Sequence, residues 1–269
     1  MNSKLFTLIC LFVLATTAPL LSQERIILPE RENNAWQEGE KLTYRVFYES
    51  IVTGQVDAGE AITEVQKSDK EFEGRDTYHI VGTGKSKGAF NFFFKVRDSF
   101  ESYVDKESLV PFLFVRRTRE GSYKKDDDVY FNQYKHTAQS KKKLSKVPPN
   151  VHDFLSALFY ARTYDIDSLA KNKGFYINFF LDDSTYHSWV KYEGVETILT
   201  NLGKFRCIKL APMAATGKVF SEKYPMFIWV THDKNHIPVL ASSAVIVGNV
   251  KLELISYENI KNKMDAKLE

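Results

Sequence analysis

The sequence predicts a mostly β fold, an antiparallel curved sheet or half-open β-barrel with one central helix packed on it. Runs in which apolar and polar residues alternate recur from residue 41 onward, at the period of two that a half-buried strand requires. Gly, Asp and Asn separate these runs at short intervals, and they accept the backbone angles of tight turns. One stretch, VPPNVHDFLSALFYARTY at 147–164, has helical spacing, and it divides two β-rich halves.

The chain opens with MNSKLFTLICLFVLATTAPLLSQ, where Lys4 precedes an apolar run ending in small and polar residues. This is the pattern of a secretory signal peptide over residues 1–23, so an exported, periplasmic protein is expected. Thr7, Thr16, Thr17 and Pro19 interrupt the roughly 18 apolar residues of a membrane span, so the mature protein is not expected to be integral to a membrane. Acylation at Cys10 is disfavoured, because the apolar run ahead of it is too short. Without the leader Cys207 is the one cysteine left, which excludes an internal disulfide and fits a bacterial periplasm. The 37 basic and 34 acidic residues nearly balance, so charge gives no reason to expect nucleic acid.

Residues 24–38 read as a polar lead-in, and a single β-rich domain is expected over 39–260. In EKLTYRVFYES, Leu42, Tyr44, Val46 and Tyr48 alternate with Thr43, Arg45, Phe47 and Glu49, giving one strongly apolar strand face. A turn at Gly54, a return strand QVDAGEAITEV and a charged connection SDKEFEGRD follow. Strands are then expected at 76–82, 90–105, 109–120 and 126–139, an antiparallel meander. Pro148 and Pro149 hold the next segment extended, Asn150 offers an N-cap, and Asp153 falls where a carboxylate meets the helix dipole. A helix over about 150–163 follows, with Val151, Phe154, Leu155, Leu158 and Phe159 as its apolar stripe. DIDSLAKNKG reads as a polar connector. FYINFFL, TYHSWVKYE, VETILT and KFRCIKL read as strands, and segments 224–231, 236–247 and 250–258 close the domain. The charged tail, 261–269, is expected to fray.

No motif with catalytic or cofactor chemistry emerges. GTGKSKG at 82–88 has Gly84, Lys85 and Ser86, but the first glycine of a phosphate loop would fall at His79, and AFNFFFKVRDSF reads as strand where such a loop needs a helix. His232 and His236 flank an Asp-Lys-Asn turn without a third ligand, so no metal is expected. His152, Asp153 and Ser156 have the residue types of a triad. One helix cannot align them as a relay, so they read as an exposed helix face with an N-terminal acid. Cys207 reads as a buried structural thiol, and Asp126 to Asp128, Asp165 and Asp167 as solvated turn acids. Basic clusters at Arg116, Arg117, Arg119, Lys124 and Lys125, and at Lys141, Lys142, Lys143 and Lys146, read as solvated charge or contacts for anionic head groups.

Three segments carry a resemblance. GEKLTYRVFYESIVTG at 39–54, PPNVHDFLSALFYAR at 148–162 and GVETILTNLGKFRCIKLAP at 194–212, in this order, resemble an exported bacterial family, domain of unknown function 3108, and DKNHIPV at 233–239 fits it too. The resemblance implies export and a β-rich fold, and brings no catalytic residues. The leading expectation is a non-enzymatic protein that binds an apolar or amphipathic envelope component, a lipid or lipoprotein, without a cofactor. Tyr44, Tyr48, Phe92, Phe94, Phe112, Phe114, Phe154 and Phe159 would line its pocket or simply fill it. The alternatives are a structural or protein-interaction module of the cell envelope and an envelope hydrolase.

Overall fold

The computed structural model describes residues 27–52, 54–213, 224–244 and 248–268. The expected leader and Cys10 lie outside them. Within them one antiparallel sheet dominates. Its first half is a meander of β1 (Lys41–Ser50), β2 (Gly54–Phe72), β3 (Arg75–Ser86), β4 (Arg97–Asp105), β5 (Pro111–Glu120), β6 (Tyr123–Asn132), β7 (Thr137–Gln139) and β8 (Leu144–Lys146). The second half comprises β9 (Gly174–Leu181), β10 (Ser184–Thr200), β11 (Gly203–Pro212), β12 (Met226–Thr231), β13 (Pro238–Ala244) and β14 (Asn249–Glu258). The two meanders join where β1 pairs with β14, so the first and last long strands lie mid-sheet while β8 and β9 are its edges. The sheet is curved and not closed into a barrel.

Between the edges runs the segment after β8. His152 donates its backbone N–H to the Asn178 carbonyl (2.9 Å), and Phe180 N–H returns to the His152 carbonyl (2.7 Å), a one-residue parallel bridge to β9. Gln133, in the turn after β6, fixes the segment from the other side, its amide donating to the carbonyls of Pro111 (2.8 Å) and Val151 (3.0 Å). These bonds satisfy backbone groups that a buried crossing would otherwise leave unpaired.

The helix that follows, α2 (Phe154–Ala161), is shorter than the 150–163 expected. Asn150 is not its cap but a left-handed residue, φ 54°, that turns the chain into the crossing. Asp153 is the cap: its carboxylate accepts from the N–H groups of Leu155 and Ser156, and Ser156 Oγ accepts from Asp153 N–H. This reciprocal arrangement satisfies orphan donors on both sides of the helix start. Nor does the helix have an exposed face at His152, Asp153 and Ser156, all of which are buried. The helix lies in the concavity of the sheet. Leu155 and Phe159 pack with Trp36, Val65, Ile80 and Val104 on one side, Ala157 with Ile177, Ile208 and Val230 on the other, and Phe154 against Phe100 and Phe114.

Several other expectations are corrected. The lead-in is not merely polar, since Leu28, Ala35 and Trp36 are buried and Trp36 Nε1 donates to the Phe159 carbonyl (3.0 Å). The register of β1 on β2 shifts between Val46 and Phe47, where β2 carries the extra residue Ala58, and Phe47 is buried under the Arg45 guanidinium while Val46 and Tyr48 are half-buried. Next to Ala58, a side chain on Gly59 would meet the Lys85 carbonyl at 2.4 Å, so only glycine lets β3 approach there. The chain at 88–93 is not strand but a six-residue helix, α1 (Gly88–Phe93), entered through Gly88 at φ 54°. DIDSLAKNKG contains α3 (Ile166–Asn172), capped by Asp165. TYHSWVKYE and VETILT are one strand, β10, bulged between Tyr192 and Gly194. The tail does not fray: Asn262 bonds Asn235, Met264 packs beside Leu202, Ala266 is buried, and β15 (Lys267–Leu268) pairs with β11.

Candidate functional site

A cavity of about 180 Å³ remains between α2 and the second half of the sheet. One wall is helical: Phe154, Ala157, Leu158 and Ala161. The opposite wall comes from alternate positions of neighbouring strands, Phe175 and Ile177 of β9, Val190 of β10, Leu210 of β11, and Ile228 and Val230 of β12. It stays unfilled because small residues, Ala157 and Ala161, occupy this flank of α2, whereas Leu155 and Phe159 fill the other flank. Leu169 of α3 closes one end.

Three polar side chains reach this apolar lining: Ser188, Arg162 and His236. Ser188 Oγ donates to the Met213 carbonyl (2.8 Å). Arg162 holds Glu40 in a buried bidentate pair (2.6 and 2.9 Å) and donates Nε to the Asn235 carbonyl (3.0 Å), tying the end of α2 to β1 and the β12–β13 turn. His236 differs. Its Nδ1 lies 2.6 Å from the Arg162 carbonyl, which can only accept, so Nδ1 carries the proton. Burial holds the imidazole below its usual value and hence neutral. Nε2 is then a bare acceptor, buried and without a partner.

Arg162 and His236 also line a second, polar cleft of about 800 Å³. Arg31, Asp165, Asp167, His232 and Lys261 surround it. His236 therefore sits where an apolar space and a polar one share a wall. His232 and His236 both reach this cleft, but among the described residues no group of three or more His, Cys, Asp or Glu side chains is arranged to hold a metal.

The structure disperses the aromatics expected to line or fill a pocket. Phe154 alone lines the cavity. Phe159 is in the core beside Trp36, Tyr44 packs with Ile237 and Leu254, Phe112 with Leu28 and Val110, and Phe114 with Val129 and Phe131. Tyr48 is half-buried, and Phe92 and Phe94 are on the outside. His152, Asp153 and Ser156 are close in space without forming a relay. Ser156 Oγ and Ser102 Oγ both bond the Asp153 carboxylate (2.9 and 2.6 Å), while the His152 ring packs on Tyr160 with Nδ1 unpartnered. Burial pushes the His152 imidazole down to about 3 and the Asp153 carboxyl upward against its hydrogen bonds. Cys207 is buried and its thiol is pushed up to about 12, which removes the thiolate a nucleophile needs. Lys85 is paired with Glu60 (3.0 Å), and α1 is too short and uncapped to complete a phosphate loop.

The family described as Protein of unknown function (DUF3108) matches residues 43–255. The chain belongs to this family. The match runs from β1 into β14, so it takes in α2, the crossing at His152 and every wall of the cavity in this DUF3108 protein. Among solved structures, a beta-barrel-like protein of the DUF1849 family from Brucella abortus is similar at 10% identity and TM-score 0.55, over 83% of this chain and 99% of that one. This likeness is one of fold. A protein described as a lipoprotein from Parabacteroides distasonis (10% identity, 86% and 100% covered) and one described as exported, with a YmcC-like fold, from Bacteroides fragilis (10%, 84% and 98%) reach TM-scores of only 0.37 and 0.34. No curated protein matches the sequence.

Proposed function

We propose that this protein is an exported, non-enzymatic binder of an amphipathic envelope component. The observation that carries the reading is His236, a neutral imidazole that lines both the apolar cavity and the polar cleft and whose Nε2 acceptor is buried without a partner. An apolar chain or ring in the cavity, joined to a group bearing an O–H or N–H donor, would satisfy both. Leaving such an acceptor unpaired costs about 1–3 kcal/mol, and a bound donor recovers it. The volume, about 180 Å³, fits one chain end or ring rather than a whole two-chain lipid, since an apolar cavity of about 150 Å³ accommodates benzene.

The test is binding of the fluorescent apolar probe 1-N-phenylnaphthylamine and its displacement by a fatty alcohol or by the matching alkane. Ala161→Phe, which fills the cavity from a half-buried position, is expected to weaken probe binding about tenfold or more, the loss of a few methylene groups' burial. His236→Phe should keep probe binding and lose the preference for alcohol over alkane. Equal probe binding by wild type and Ala161→Phe, or none by wild type, would sink the proposal.

A further inference from the structure

The rim opposite the polar cleft carries the least expected surface of the molecule. In an antiparallel meander, connections from odd to even strands all lie at one end. The β1–β2 turn, α1 between β3 and β4, and the turns after β5 and β7 therefore share this rim. There Phe92 and Phe93 are 86% and 81% exposed and pack edge-to-face on each other. Ile51 and Val52 project from the neighbouring turn, Phe94 is also exposed, and α1 has no buried residue at all. Five large apolar side chains at one end, two of them on a helix with no buried residue and the others on the turn beside it and just after it, mark a surface built to be covered.

The charges around them indicate what covers it. Glu60 is shared by Lys85 and Lys87, and Asp182 by Arg116 and Lys125, so each carboxylate leaves a cation in excess. Arg97 Nη1 spends its hydrogen bonds on the carbonyls of Val96 and Ser86 rather than on a carboxylate. Lys95 and the Lys141 to Lys143 run add exposed positive charge at the same end. A second copy of the chain would bring the same cations against these ones. An anionic bilayer complements both the charge and the apolar tip, as it does for basic peripheral segments with aromatic faces.

We propose that this rim docks on an anionic phospholipid bilayer, with Phe92, Phe93, Ile51 and Val52 entering the head-group boundary and Lys87, Lys95 and Arg97 meeting phosphates. The inference is independent of what the cavity holds. Co-sedimentation of the exported, purified protein with phosphatidylglycerol–phosphatidylethanolamine vesicles, against phosphatidylcholine vesicles, tests it. The expected result is binding to the anionic vesicles that weakens with added salt, falls about tenfold or more in Phe92→Ser/Phe93→Ser, and falls in Lys95→Glu. Because both phenylalanines are exposed, the double variant should keep the wild-type circular dichroism and melting temperature. Wild type that ignores anionic vesicles, or a double variant that binds like wild type, overturns the proposal. So does lipid-free sedimentation showing a dimer that the double variant abolishes, for the rim would then belong to a second copy.

Discussion

His152 is a residue whose chemistry runs against its setting. It is buried beside Tyr160 with Nδ1 unpartnered, and burial alone drives its imidazole to about 3. The folded value lies below the unfolded 6.5, so as pH falls the unfolded chain takes the proton first. Its contribution is complete above pH 6.5 and is lost progressively down to about pH 3. Acidification from pH 6.5 to 4.5 is expected to remove about 2–3 kcal/mol through this group. His236, shifted in the same direction, adds to the slope. Urea unfolding at the two pH values checks this: His152→Leu should flatten the difference, and an unchanged slope would refute the assignment. The Glu40–Arg162 pair makes a second prediction. Glu40→Gln leaves a buried guanidinium without its counter-charge and should lower stability by about 3–5 kcal/mol in the same assay.

At the scale of elements, what was legible in the sequence follows from where the determining interactions lie. Period-two alternation marked most strands, and the Asp233, Lys234 and Asn235 turn was visible because its chemistry is local. The segment FNFFF misled because its composition favours strands, while the conformation at Gly88 and the turn of the chain at the rim decide for helix. α3 hid behind polarity, although Asp165, whose carboxylate accepts from Ser168 N–H, was a readable cap. The candidate site was half legible. FYINFFL and TYHSWVKYE read as strands, and His232 and His236 were weighed only as metal ligands and set aside, while the role of His236 stayed hidden because its partner, the Arg162 carbonyl, is 74 residues away. The tail is the third kind of failure, where charge concealed Met264 and Ala266 as anchors. Deleting residues 262–269 should therefore expose the cluster at Leu42, Ile237 and Leu254, lower the melting temperature by several degrees and speed amide exchange in β11.

For the whole molecule, the ends of the sheet divide the labour. One rim carries α1 and the cations, and the other carries the cleft at Arg162 and His236, so a protein docked through α1 holds that cleft away from the bilayer and open to exchange with solvent. The concavity between them is largely filled by α2, which leaves the cavity on one flank only.

The pairing of β1 with β14 has a consequence for how the chain is made. Synthesis delivers β1 roughly 200 residues ahead of β14, yet they are neighbours, and the seam between the meanders waits for both. Until β14 arrives, β1 shows a free edge of backbone donors and acceptors on one side, a template for pairing with the wrong chain. Such a distant closure folds slowly, because the loop entropy must be overcome before any contact rewards it. Closure of the sheet therefore waits for β14, and until then whatever shields the β1 edge protects the chain from mispairing.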